Sequence, residues 1–197
     1  VACGALAREL LWITSQFPGC TVDITCLPAS WHNHPERIVP GLCRKVASLR
    51  RKGRRVAVVY GDCGTGGEID AFLKAEKVDR IPGPHCYEMF IGPSEFGAEM
   101  ERELGTFFLT DYMVRHFERI VMQGMGLRKH PQLRDMYFGN YTRALYIAQT
   151  EEEALQAKAR AAAAELGLAY EYRFTGFGGL PAWVAASVSA GMPAKGD

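Results

Sequence analysis

Repeatedly through its first half the chain passes from a short apolar run, through a loop rich in Gly, Pro or Cys, into a stretch with helical spacing. This alternation restricts the fold more than any other feature. Strand candidates are the residues up to Cys3, then 21–27, 55–60 and 78–81, with helical patterns between them at 5–17, 35–52 and 68–77. Strands separated by helices of this length must pair in parallel, because each crossover has to return over the sheet. The run Val56-Ala57-Val58-Val59 is apolar on both faces, as a central parallel strand requires. The expectation is an α/β fold: a doubly wound, mostly parallel sheet with helices on both faces.

The second half continues the pattern less regularly. Segments 106–110 (TFFLT), 143–147 (RALYI) and 169–174 (AYEYRF) have strand character, and 151–166 predicts a helix with acidic residues in its first turn, an alanine-rich body and Gly167 at its stop. At 197 residues the chain is expected to form one domain over 1–186, with a division into two Rossmann-like lobes at 1–104 and 105–186 left open. Residues 187–197 lack periodicity and are expected to fray. The chain starts without Met in what looks like a strand end, so residues preceding Val1 are expected to be missing.

Lys and Arg number 23 against 22 Asp and Glu, which builds no field for nucleic acid or an anionic membrane surface. The one basic cluster, at 50–55, falls where a helix should end, and cations are favoured there. No apolar stretch approaches the roughly 20 residues that span a bilayer, nor does a signal peptide stand out, so a cytoplasmic location is expected. With 48% hydrophobic residues supplying a core, the six cysteines are expected to be reduced thiols rather than a disulfide framework.

Position sorts those cysteines. Alternation along 21–27 puts Cys26 with Val22 and Ile24 on the core face, Cys43 borders the apolar stripe of the helix from Pro35, and Cys20 lies in a turn. Cys3 stands where strand one meets helix one, Cys63 just after the central strand, and Cys86 after the fourth. These three leave the sheet at its C-terminal edge, where open parallel sheets bind ligands, and the loop after strand two adds His32 to the same rim.

Three thiolates and an imidazole suit zinc or another thiophilic metal ion, with Cys3, Cys63 and Cys86 as ligands and His32 as fourth ligand or acid/base. A ligand position left open would let the metal activate a thiol or water for a small-molecule substrate. Two other readings stay open. The cysteines could simply line a loop-rich edge, or a thiol heading a helix N-terminus could ionise easily and act as a nucleophile with His32 or His85 as base. Gly64, Thr65 and Gly66, opening the helix at Glu68, could form an anion-binding nest for a cofactor, with Gly4 allowing close approach at strand one.

Together these segments resemble the prokaryotic domain of unknown function 1638 family. Its members carry a Cys-Gly after the first strand, a Leu-His-Asn-x-Pro-like segment, a Tyr-Gly-x-Cys-Gly turn, a Pro-x-x-x-Cys segment and a Tyr-x-Leu-Thr-like strand. Here the counterparts are Cys3-Gly4, Leu27 with His32-Asn33-His34-Pro35, Tyr60-Gly61-Asp62-Cys63-Gly64, Pro82-Gly83-Pro84-His85-Cys86 and Phe107-Phe108-Leu109-Thr110, spanning residues 1 to about 112. Trp31 replaces the usual aliphatic residue before His32, and His85 stands where an acidic residue is common. The family's members often lie beside corrinoid-dependent methyltransferase genes. The resemblance therefore implies a part in one-carbon or methylamine metabolism, as an enzyme or as an accessory to a corrinoid protein or methyltransferase.

Overall fold

The computed structural model describes residues 1–190, and its elements alternate as the sequence pattern requires. In chain order they are β1 (Ala2–Cys3), α1 (Ala7–Ser15), β2 (Cys26–Leu27), α2 (Ile38–Arg51), β3 (Ala57–Val58), α3 (Glu68–Ala75), β4 (Asp79–Arg80) and α4 (Cys86–Ile91). The remainder comprises α5 (Pro93–Arg102), β5 (Thr106–Leu109), α6 (Asp111–Arg115), α7 (Leu133–Phe138), β6 (Arg143–Ala148), α8 (Glu153–Leu166), β7 (Ala169–Phe174) and α9 (Leu180–Ser189). Every strand pairing is parallel, and helices surround the sheets. The chain divides into two units: Val1–Met89 with the residues from Gly179, and Phe90–Gly178.

In the first unit β1 pairs with β2, and β3 with β4. A parallel bridge between Ala2 and Val59 joins the two pairs, with the Cys3 amide donating to the Val59 carbonyl. The order across the unit is thus β2-β1-β3-β4, and the chain reverses its direction of travel between β1 and β3. Such a reversal opens a crevice beyond the C-terminal ends of the two strands, where open α/β sheets take their ligands. Leu6, Leu10 and Ile13 from the first helical segment, Ile38, Leu42 and Val46 of α2, and Ile69 and Leu73 of α3 are buried at helical spacing and supply the core.

The strands of this unit are shorter than expected. The ladder pairs Ala2 with Cys26 and Cys3 with Leu27, so only the last two residues of 21–27 find ladder partners. Leu27 faces inward, which turns Cys26 outward by the two-residue period. The expected core role of Cys26 is therefore corrected: it is exposed, while Cys43 is half-buried beside the α2 stripe.

The second unit is built on a three-stranded sheet, β5-β6-β7, in which all six residues of the central β6 are buried. Its core joins Leu109, Val114, Tyr146, Leu155, Ala159 and Ala163 with neighbouring apolar side chains. The alanine run of α8 allows the helix to lie close to the sheet, and Gly167, at φ 75°, closes it in the left-handed conformation that glycine adopts without strain. Of the tail expected at 187–197, residues up to Ser189 continue α9, and 191–197 lie outside the described residues.

Candidate functional site at the sheet switch point

Cys3 ends β1 at the switch point. It is 3% exposed, and its Sγ accepts from the Ala5 amide at 3.4 Å, capping the turn that opens the first helix. At Gly4 an added Cβ would lie 3.0 Å from the Leu27 carbonyl and 3.4 Å from the Ala29 amide, so this glycine lets the exits of β1 and β2 pack against each other. Cys63 follows β3 in a left-handed backbone conformation (φ 50°), a costly state for a residue with a Cβ that concentrates at functional sites. Its amide donates to the Pro84 carbonyl at 3.0 Å, tying the loop after β3 to the loop that leads into Cys86 at the start of α4. A Cβ at Gly61 would meet the His85 Cα at 2.9 Å and the Cys63 Sγ at 3.1 Å, so a glycine here lets those groups close in.

β1, β3 and β4 run parallel, so the loops following them share one edge and bring Cys3, Cys63 and Cys86 into each other's electrostatic range. Burial pushes the Cys3 thiol up to about 11, against the Ala5 amide and Tyr60. Burial, with Cys3 and Asp62 adding to it, pushes Cys63 up to about 12. Cys86 is raised as well, by burial and by its two sulfur neighbours. This corrects the expectation that Cys63 ionises easily at a helix N-terminus. The α3 helix begins only at Glu68, and the carboxylate next in sequence to the thiol opposes ionisation.

The glycine-rich turn ahead of α3 already has an anion. Asp62 accepts from the Thr65 hydroxyl at 2.6 Å and from the Gly66 and Gly67 amides at 3.0 and 2.8 Å. Burial works to raise its pKa, but these bonds and Arg80 hold the carboxyl below the usual range. The nest expected of Gly64, Thr65 and Gly66 thus coordinates the chain's own carboxylate and fixes the entry to α3.

Two histidines belong to the same loops: His32 stacks on Tyr60, and His85 directly precedes Cys86. His32 is exposed, with Nδ1 2.7 Å from the Ala29 carbonyl. A carbonyl only accepts, so Nδ1 carries the hydrogen and Nε2 keeps its lone pair for a ligand or proton. His85 is exposed; desolvation of its ring lowers its pKa, with His32 adding to this and Asp62 and Glu88 opposing it, which favours the neutral imidazole.

Sequence reasoning missed the residue at the centre. Tyr60, the last residue of the strand run, is fully buried, lies under His32 and is influenced by all three thiols. Its hydroxyl interacts with the Cys3 thiol but makes no bond of hydrogen-bond geometry with any described residue. An unsatisfied buried hydroxyl costs about 1–3 kcal/mol. The available signal was its polar tip at the end of an apolar central strand, which reads equally well as core.

In the second unit the corresponding strand ends carry Asp111, 2% exposed, which accepts from the Tyr146 hydroxyl, the Gln149 amide and the Thr150 hydroxyl at 2.7, 3.0 and 2.6 Å. Each donor is matched, so this cluster braces β5 against β6.

A family profile described as "Protein of unknown function (DUF1638)" matches residues 26–182. The chain belongs to this family. The match runs well past the extent seen from the motifs, to the end of β7 and into α9, and starts at Cys26, leaving Cys3-Gly4 outside it. No curated protein and no solved structure matches the chain. Among the described residues of this DUF1638 protein, no helix is long and apolar enough to cross a membrane, and no three His, Cys, Asp or Glu side chains form a ready-made metal-binding group.

Proposed function

We propose that the switch-point rim is a thiol site that recruits a thiophilic metal ion, zinc or a similar cation, with Cys3, Cys63 and Cys86 as sulfur donors and His32 presenting Nε2 as fourth ligand or acid/base. The observation that carries this reading is the convergence of three strand exits that carry thiols, with burial suppressing the ionisation of each and neighbouring thiols adding to it at Cys63 and Cys86. Thiols in that state are poor nucleophiles at neutral pH, which weighs against the metal-free alternative. A divalent cation reverses the balance: it offsets the charges that make each thiolate costly, and binding it releases protons. Among the described residues the donors are not gathered into a preformed centre, so this reading requires cation uptake to be coupled to local closure of the loops after β1, β3 and β4.

A metal held by sulfur supplies the ability to activate a bound thiol or water at neutral pH. His32 and the neutral His85 stand beside it as proton acceptors. The wider setting we propose is the one the family resemblance implies: one-carbon or methylamine metabolism on a small-molecule substrate, beside a corrinoid protein or methyltransferase, as enzyme or accessory. A non-catalytic metal carrier is the alternative.

Titration of metal-free protein with Co²⁺ tests the site. Sulfur-to-cobalt charge-transfer absorption that zinc displaces supports the reading, and its absence at saturating Co²⁺ overturns it.

A further inference from the structure

In the second unit β7 pairs with β6 residue for residue, without a bulge, and no described strand lies on its far side. Two bonds at the ends of this ladder, Ala169 amide to Thr142 carbonyl and Thr175 amide to Ala148 carbonyl, both 3.0 Å, fix the direction of the backbone groups. Residues 169, 171 and 173 turn amide and carbonyl towards β6, so those of Tyr170, Tyr172 and Phe174 point out along the open edge. Proteins ordinarily blunt such an edge with Pro, Lys, a bulge or a covering element. The segment AYEYRF has neither Pro nor Lys, and Tyr172 and Phe174 are 38% and 48% exposed, whereas β5 at the opposite edge is largely buried.

Side-chain direction follows the same alternation. Glu171 accepts from Arg102 and Arg143, and Arg173 donates to Glu95 and Glu99, which holds both on the face towards α5. On the other face Tyr172 packs on the Tyr146 ring, and Tyr170 lies under the Arg160 guanidinium. We propose that β7 is the docking edge for a second copy of this chain, the two β7 strands pairing antiparallel about a two-fold axis at Tyr172. Antiparallel pairing sets outward-bonding residues opposite one another, so near the middle of the strand the axis falls at 171, 172 or 173. At 171 two glutamates would oppose each other and at 173 two arginines, and like charges directly opposite are unfavourable. At 172 Glu171 of one copy meets Arg173 of the other, Tyr170 meets Phe174, and the two Tyr172 rings stand side by side. The amide and carbonyl of 170, 172 and 174 then all find partners, in the self-complementary contact of a two-fold dimer. A single sheet runs from β5 of one copy through both β7 strands to β5 of the other, whether or not the thiol rim holds a metal.

Tyr172→Lys and Tyr172→Glu test this, because residue 172 opposes only itself across the axis. Sedimentation velocity on the parent chain, on each variant and on their equimolar mixture is followed across a range of concentrations, with circular dichroism as the check on folding. The expected result is a parent dimer that dissociates on dilution, monomeric variants, and a dimer restored in the mixture, where Lys meets Glu. Variants that dimerise as the parent does place the contact elsewhere and overturn the proposal, and monomers in the mixture overturn this register. Amide exchange in the parent needs no variant: Tyr170, Tyr172 and Phe174 should be protected in concentrated protein and exchange rapidly on dilution. A parent that stays monomeric, with these three amides exchanging rapidly at every concentration, overturns self-pairing and leaves the edge to a strand of another protein.

Discussion

The His32 ring lies parallel over Tyr60, with centroids 6.0 Å apart and planes inclined by 14°, while its Nδ1 is anchored on the Ala29 carbonyl. This stacking places an exposed imidazole against a fully buried phenol, and so connects the surface of the rim to the thiols beneath it. His32→Ala removes an exposed side chain and is expected to change stability by no more than about 0.5 kcal/mol. Metal affinity should fall by at least about tenfold, since both a lone pair and an oriented ring are lost. Chemical denaturation and Co²⁺ titration of one preparation check the pair of outcomes; a large loss of stability with intact affinity would make His32 a packing residue.

Alkaline stability reports on the thiols without any metal. Cys3 and Cys63 are held near 11 and 12 in the folded chain, against an ordinary value of 9.0. Below pH 9 both states are protonated and the thiols leave stability unaffected by pH. As pH rises from 9 towards 11–12 the unfolded chain loses these protons first, so the folded state is progressively disfavoured. Urea midpoints of metal-free protein should fall across that window, and less so in a Cys3→Ala, Cys63→Ala double variant. Curves of equal slope for the two proteins would contradict the assignment.

The second unit has its own polar centre at the start of the strands. Arg143, 5% exposed, donates to Glu99 and Glu171, each at 2.7 Å, and to the Thr106 hydroxyl at 2.8 Å. Glu99 is equally buried and also accepts from Arg102 and Arg173. Arg143→Ala leaves a buried carboxylate short of its most buried cation, and about 3–5 kcal/mol of stability should be lost. Equilibrium unfolding measures this, and a loss under about 1 kcal/mol would mean that Arg102 and Arg173 suffice to hold Glu99.

Much of the architecture was legible in the residues because it follows from periodicity. The β7 segment 169–174 and the C-terminal end of α8 at Leu166 with its Gly167 cap lie where alternation and helix-stop chemistry put them. The edge that carries Cys3, Cys63 and Cys86 follows from parallel crossovers alone. What periodicity could not give was register. Cys26 alternates with Val22 and Ile24, yet Leu27 takes the inward position and both Val22 and Cys26 are exposed. Nor could it show that Asp62, four and five residues ahead of Gly66 and Gly67, folds back onto their amides, because that bond depends on the path of the turn. The helices at 93–102 and 180–189 went unseen: α5 starts at a Pro beside Gly92, and α9 is so uniformly apolar that no face stands out.

If the rim of β1 and β3 holds a metal through its sulfurs, as proposed, Cys63, strained and tied to the loop before Cys86, is the residue whose replacement tests it most directly. Elemental analysis of the parent chain and of Cys63→Ser, both purified without a metal-affinity tag and both checked for folding by circular dichroism, measures it. Near-stoichiometric zinc or another thiophilic metal is expected in the parent, with a sharp loss in a folded Cys63→Ser. A folded variant that keeps its full metal content, or a parent that contains none and takes up none, would contradict it.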